Sequence, residues 1–523
     1  MGAAETLTIT MVIATIALLM IGYPVALTLG GVALIFGLLG DVCGIMPIAL
    51  LGALPQRIFG VMTNEVLLAI PLFVFMGVML ERSRIAEDLL ETMGRLFGAL
   101  TGGLAISAII VGTLLAAAKG VVGATTVTMG LITLPAMMRH GYDPRLAAGT
   151  VAATATLAQI MPPATVLILL ADQINIAYQS AQLSHGVFAP EAVSVGDLFA
   201  GAILPAGLLV LLYLLFQIAV AVLRPQACPP VPPDPAVKGK GAMLQRLLEA
   251  LVAPILLIVI VLGSILGGLA TPTEAAAIGA FGAILLTANK TERSSSALIA
   301  AGATVLILAL RRLTELHGSA AYGLPISPAL AAAVLLLALI AIATARAVIA
   351  VARSGVLREV LAATAHITAM IFTILIGATM FSLVFRGLGG DDLVQRALSH
   401  LPGGTGGAIV IVMIMMFLLG FVMDAFEIIF VVVPIVAPAL LQMPGVDPIW
   451  LGIMMAMNLQ MSYIHPPLGP TLFFLRGVAP PEITTMHIYI GAIPFVLIQM
   501  SALVLLWFAP QLATFVPSAL YGR

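Results

Sequence analysis

The sequence predicts an all-α polytopic membrane protein built from two inverted-topology repeats, each holding a re-entrant helical hairpin and a helix broken at a prolyl pair. Composition carries the first part. Of 523 residues, 61% are hydrophobic and 9% charged, with a mean hydropathy of +1.18; a soluble domain would be roughly one quarter charged. The repeat carries the second part. Gly141-Tyr142-Asp143-Pro144 and Pro162-Pro163 return as Gly445-Val446-Asp447-Pro448 and Pro466-Pro467, a shift of 304 residues both times. The same shift lays Met76 on Met380, Arg82 on Arg386, Asp88 on Asp392, Gly102-Gly103 on Gly406-Gly407 and Ala152 on Ala456. A prolyl pair removes two backbone donors and forces the preceding residue out of helical geometry, so each segment breaks near its middle. Paired broken helices at equivalent places of two repeats point to a binding site near the midplane.

Residues 1–65 read as scaffold: apolar runs at 7–22 and 25–40 form a hairpin around Gly22-Tyr23-Pro24, and 47–62 is too short to span and lies along the interface. Residues 66–171 form the first repeat. Segment 66–80 spans and ends in a charged helix; 101–138, with Lys119 as its one charge and a Gly/Thr-rich centre, is the re-entrant hairpin; 145–171 is the broken helix. Residues 172–365 connect the repeats. They comprise the acidic segment 172–197, a helix at 198–223, an extended Pro-rich loop at 224–247, helices at 248–268 and 273–288, and two further apolar runs within 297–345. The second repeat, 366–475, has its lead helix at 366–386, its hairpin at 407–441 and its broken helix at 448–475, and 476–523 supplies a last helix at 486–508.

Charge bias fixes the orientation, because cytoplasmic loops collect Lys and Arg. With the loop after residue 80 inside, only Arg57, Arg311, Arg312, Arg386, Arg396 and Arg523 fall outside and Lys119 stays in the membrane. Segment 172–197 is then periplasmic, and 224–247 and Arg476 are cytoplasmic. An odd number of crossings separates the repeats and inverts the second.

Inverted hairpins bring their tips together near the midplane, where unwound carbonyls and half-helix ends bind ions. The first tip offers Gly120, Gly123, Thr125, Thr126 and Thr128, and the facing break offers Thr154, Thr156, Gln159 and Pro162. Oxygen-only sets of this kind suit sodium, not a transition metal. The second tip carries Asp424 and Glu427; its break carries Asn458, Gln460, Ser462, Tyr463, His465 and Pro466. Intramembrane carboxylates are costly and functional by default. The shift maps Lys119 onto Met423, beside Asp424, so we expect these two charges to compensate each other or to frame the substrate jointly, with Lys119 attracting a carboxylate. For each Ser or Thr the competing reading is a hydroxyl bonded to the preceding turn. His465, beside a prolyl pair, reads more readily as a packing histidine than as a proton carrier.

No Gly-rich phosphate loop with Lys-Ser/Thr occurs, which disfavours an ATP-driven pump, and only Asp424 and Glu427 resemble a catalytic cluster. The net charge of −1 leaves no nucleic-acid footprint, and Cys43 with Cys228 implies neither a disulfide nor a metal site. The N-terminus lacks a basic leader region, so the first apolar run is expected to remain a membrane helix.

Several stretches resemble the large membrane (permease) subunit of TRAP transporters, the tripartite ATP-independent periplasmic transporters. They are Gly120 to Gly130, Gly141 to Ala147, Gln159-Ile160-Met161-Pro162-Pro163, Ala270-Thr271-Pro272-Thr273-Glu274-Ala275-Ala276, Phe381 to Asp392, and Asn458-Leu459-Gln460. The chain most resembles the mannitol/chloroaromatic branch, with 174–191 and 297–345 as insertions. The resemblance implies an elevator-type secondary transporter of the bacterial inner membrane, driven by sodium ions and without cofactors. A periplasmic binding protein would deliver a small organic acid, and a small four-helix membrane subunit and membrane lipid would brace the scaffold. It places the ion sites at Gly120, Gly123, Thr125, Thr126, Thr154, Thr156 and Pro162, and at Asp424, Glu427, Asn458, Ser462 and Pro466. Lys119, Gln159 and Gln460 are the expected substrate contacts. A self-sufficient ion- or proton-coupled carboxylate transporter of related architecture stays open beside it.

Overall fold

The structure, a computed structural model, describes residues 2–83, 85–231, 240–292 and 328–522. Among them are helices and no strand, as expected where the surrounding solvent offers the backbone no hydrogen bonds. Among the described residues six helices are long and apolar enough to cross a membrane: Ala3–Ile21, Val25–Val42, Val195–Leu223, Val334–Arg353, Val356–Gly387 and Thr485–Phe508. The first two are joined as expected by Gly22, whose φ of 96° closes the first helix by donating to the carbonyls of Leu18 and Leu19. The short run at 47–62 is a 3₁₀ turn, Ile48–Ala53, followed by Leu54–Met62.

Each repeat follows one plan. In the first, the lead helix Ala69–Arg82 is followed by the short helix Ile85–Phe97, hairpin arms Gly103–Lys119 and Val122–Arg139, and a broken helix Pro144–Thr156/Thr165–Ser184. In the second, the corresponding pieces are Val356–Gly387, Gly390–Ser399, an arm Gly404–Leu419, a return arm split into Ala425–Val431 and Val433–Leu441, and a broken helix Pro448–Ile464/Pro470–Val478. Asp143 and Asp447 both cap their broken helices, Asp143 accepting from the N–H of Arg145 and Asp447 from that of Trp450, one position further along. The bonds Pro162–Pro163 and Pro466–Pro467 are both cis.

Packing interlocks the repeats. The return arm Val122–Arg139 lies on Pro470–Val478 of the second broken helix, and the return pieces 425–431 and 433–441 lie on Thr165–Ser184 of the first. Glycine permits the tightest crossing: a Cβ at Gly149 would overlap the Gly491 carbonyl, and one at Gly491 would overlap the Arg145 carbonyl. Helices 144–156 and 485–508 therefore touch backbone to backbone.

Several boundaries differ from expectation. The first broken helix does not stop at 171 but runs on to Ser184, because the polar residues of the acidic segment find partners. Asp172 accepts from Asn64 Nδ2 at 3.0 Å and Gln173 Nε2 at 3.0 Å, and Asn175 Oδ1 accepts from the Val193 N–H. The chain does not close at 508, since Gln511–Tyr521 adds a helix against Val195–Leu223. The loop at 224–247 is not simply extended. Residues 224–231 dock on the base of the first hairpin: Ala227 and Cys228 carbonyls accept from the N–H groups of Asp143 and Gly102 at 2.8 Å each, and the Val231 N–H donates to Gly98 O at 2.6 Å. A helix begins again at Lys240 and continues to Leu266. Of the two extra runs within 297–345, the first lies outside the described residues and the second is the helix Pro328–Arg353.

Candidate functional site

At the first tip, Gly120 turns the chain between the arms with a φ of +62°. A Cβ there would stand 3.1 Å from both N and Oγ1 of Thr165, the first residue of the helix beyond the prolyl break. Tip and break are thus in contact. Gly123 faces Phe474 of the second broken helix, its notional Cβ 3.2 Å from that ring. Thr125 and Thr126 donate to the carbonyls of Val121 and Val122 at 2.9 and 2.8 Å, and Thr154 and Thr156 donate to those of Thr150 and Ala153. Their protons are occupied by the preceding turn; the oxygen lone pairs of Thr125, Thr126 and Thr154 stay available, whereas Thr156 Oγ1 also accepts side-chain amides. Thr128 donates to Ala124 O and to Glu81 Oε1, tying this arm to the lead helix. Around the break, Gln159 Oε1 and Thr165 Oγ1 are buried without a protein partner. Lys119 ends the first arm; its side chain, and with it the expected pairing to Asp424, lies outside the described residues.

At the second tip, Asp424 and Glu427 form a capping box. The Asp424 carboxylate accepts from the Ala425 N–H at 2.8 Å and Glu427 Oε2 accepts from the Asp424 N–H at 2.9 Å. The tip meets its break through Tyr463, whose hydroxyl accepts from the Ala425 N–H at 2.9 Å, and through His465, held between Phe417 and Phe421 with ring centroids 5.0 and 5.3 Å away. Ser462 donates to Leu459 O and leaves room only for Gly420, where a Cβ would overlap it. Asn458, which the 304-residue shift places on Thr154, donates to Met413 O on the first arm at 2.8 Å. The Oγ1 of Thr471, just past the Pro466-Pro467 break, and His465 Nδ1 are buried without partners.

The two breaks converge. Gln460 Nε2 lies 3.4 Å from Thr156 Oγ1, its own equivalent 304 residues earlier. A residue that touches its equivalent marks a two-fold relation between the halves, as in an isologous interface. Gln499 Nε2 joins them, donating to Thr156 Oγ1 at 3.1 Å and to Tyr213 Oη at 2.7 Å. Of the residues expected from sequence, the structure brings Thr154, Thr156, Gln159, Asn458, Gln460 and Ser462 into the buried broken helices. It sets Gly120 against Thr165 and the Asp424 end of the second tip against Tyr463. Sequence reasoning missed Thr165, Thr471, Tyr213 and Gln499. For the last two, the available signal was a polar group in the middle of a predominantly apolar span.

Comparison with known proteins agrees with this architecture. Residues 12–355 and 289–512 match the family described as "Tripartite ATP-independent periplasmic transporter, DctM component". The chain is 27% identical over 515 residues to the C4-dicarboxylate TRAP transporter large permease protein DctM of Vibrio cholerae, covering 98% of this chain and 97% of that protein. It is 23% identical over 516 residues to the ectoine TRAP transporter large permease protein TeaC of Halomonas elongata, covering 97% and 98%. Among solved structures, the YdaH transporter of Alcanivorax borkumensis superimposes with a TM-score of 0.53 at 16% identity, over 90% of this chain and 88% of that one, a likeness of fold. Membership implies a small membrane subunit and a periplasmic binding protein as partners. The chain belongs to the DctM-component family of tripartite ATP-independent periplasmic transporters, as the large, multi-pass inner-membrane permease subunit of a tripartite secondary transporter.

Proposed function

We propose that this subunit imports a small organic acid, handed over by the periplasmic binding protein, and that sodium ions bound between hairpin tips and helix breaks drive it. The observation that carries the reading is two buried hydroxyls without protein partners beside the breaks, Thr165 Oγ1 at the first and Thr471 Oγ1 at the second. An orphaned buried acceptor costs about 1–3 kcal/mol, a cost that a weakly hydrated binding site for a hard cation offsets by supplying the missing partner. Gly120, Gly123, Thr125, Thr126, Thr154, Thr156 and the Pro162 break, joined by Thr165, would hold one ion; Asp424, Glu427, Asn458, Ser462 and the Pro466 break, joined by Thr471, the other. Gln159, Gln460 and Lys119 would meet the substrate. A carboxylate suits the C4-dicarboxylate descriptions of relatives and the cationic Lys119. No cofactor is required. The hairpins and broken helices would move as one body against the lead and outer helices, braced by the small four-helix subunit and lipid.

His465 Nδ1 and the two tip carboxylates favour a second reading, proton coupling at the second tip. Uptake of a labelled carboxylate into proteoliposomes carrying both membrane subunits separates the two. With binding protein present, an imposed sodium gradient should raise uptake by about tenfold or more over choline, and ATP should have no effect. Uptake unchanged in sodium-free medium under a proton gradient would assign the drive to His465, Asp424 and Glu427. Full uptake without binding protein would identify a self-sufficient transporter.

A further inference from the structure

The described residues form an open groove of about 830 Å³ away from the hairpin tips, where three separate pieces of chain meet: the Gly141–Arg145 turn, the stretch Leu223–Ala227 from the helix end into the docked segment, and His487 at the start of the last long helix. Its volume falls within the range of sites that hold small organic groups. Two guanidiniums, Arg145 and Arg224, line it. Both residues are exposed, and among the described residues neither side chain has a hydrogen-bond or ion-pair partner.

His487 Nδ1 accepts the Thr484 N–H at 3.3 Å, which leaves its other ring nitrogen as a donor. The one carboxylate in the lining, Asp143, caps its helix through the Arg145 N–H. Net charge inside the groove is therefore positive, supplied by the side chain whose planar fork matches phosphate oxygens two at a time. The rim is apolar. Val222 and Leu223, at the end of a membrane-spanning helix, are 73% and 78% exposed. Cations at the end of a spanning helix, with bare aliphatic side chains beside them, match a molecule with a phosphate at one end and acyl chains at the other.

We propose that this groove binds the phosphate group of an anionic phospholipid from the leaflet that the Lys/Arg bias places in the cytoplasm, with Arg145 and Arg224 on the phosphate and Val222 and Leu223 against the chains. The bound headgroup would join the docked segment to the Gly141–Arg145 turn and to the helix Thr485–Phe508, all of which border the groove.

The test uses the full chain in neutral detergent and its Arg145→Gln/Arg224→Gln variant. Thermal unfolding is followed with phosphatidylglycerol, with phosphatidylcholine and with inorganic phosphate, and co-purifying lipid is measured by mass spectrometry. Phosphatidylglycerol should raise the unfolding temperature of the parent chain, phosphatidylcholine should not, and the variant should lose most of the rise while unfolding near the parent temperature in detergent alone. The retained phosphatidylglycerol-to-phosphatidylcholine ratio should fall by about tenfold, as expected when bidentate phosphate contacts are lost. A rise with inorganic phosphate alone, lost in the variant, would uphold phosphate recognition and assign it to a soluble ligand. Equal rises with both lipids, or an unchanged lipid ratio in a folded variant, would overturn the proposal.

Discussion

Replacing Gly112 with valine should abolish most uptake while a matched substitution elsewhere does nothing. A Cβ at Gly112 would overlap the Thr154 methyl and stand 3.1 Å from Met129 Cε. The first arm of the hairpin therefore reaches the broken helix only because one residue has no side chain. Gly420 does the same for Ser462 in the second repeat. Overpacking a core costs about 1–3 kcal/mol where neighbours yield. Here the neighbour is itself packed in the broken helix, so the arm must move and carry the tip off Thr165. We expect Gly112→Val and Gly420→Val each to cut uptake by about tenfold or more, with a lowered unfolding temperature. Gly263→Val is the control, since its Cβ would meet nothing within 4 Å, and it should keep near-parental uptake. Parental activity in Gly112→Val would show that the arm and the broken helix do not need this close approach.

The second large effect is expected at Thr156, where the halves meet. Thr156→Val keeps the shape and removes the acceptor of Gln460 Nε2 and one of the two acceptors of Gln499 Nε2. A buried amide donor left without a partner costs about 1–3 kcal/mol, and the Gln460 bond is the weaker one at 3.4 Å. Thr154→Val, by contrast, removes only a bond to the preceding turn, and such bonds contribute little to helix stability. Unfolding in detergent should separate the two variants clearly, with Thr156→Val the less stable. Combining Thr156→Val with Gln460→Met should cost less than the sum of the single changes, because the shared bond is lost only once. Additive effects would remove the two-fold contact from the account.

What the sequence disclosed, and what it did not, follows from the kind of interaction involved. The repeat was legible because breakers and caps act locally: Asp143-Pro144 and Asp447-Pro448 start helices wherever they stand, and the prolyl pairs stop them. The hairpins were legible for the same reason, since Gly120 must turn the chain. The end of the first broken helix was not, because Asp172 and Asn175 look like loop residues until Asn64 and Val193, distant in sequence, are seen to satisfy them. The docked segment 224–231 escaped notice because proline density reads as a free connector, although its carbonyls are still able to accept, and two of them do. Thr165 and Thr471 are ordinary hydroxyls in sequence. Only burial without a partner singles them out.

The central claim, that cations bind where tips meet breaks, is tested most directly by titrating sodium against the thermal stability of the purified permease, with choline as the ionic-strength control, in the parent chain and in Thr165→Val. A ligand that binds only the folded state stabilises it by about 2.7 kcal/mol at one hundred times its dissociation constant, so the parent should show a saturable rise. Thr165→Val removes an orphaned buried hydroxyl, so without sodium it should be as stable as the parent or more so, and it should lose most of the sodium-dependent rise. Superimposable sodium titrations of the two proteins, or no rise in the parent, would contradict the account.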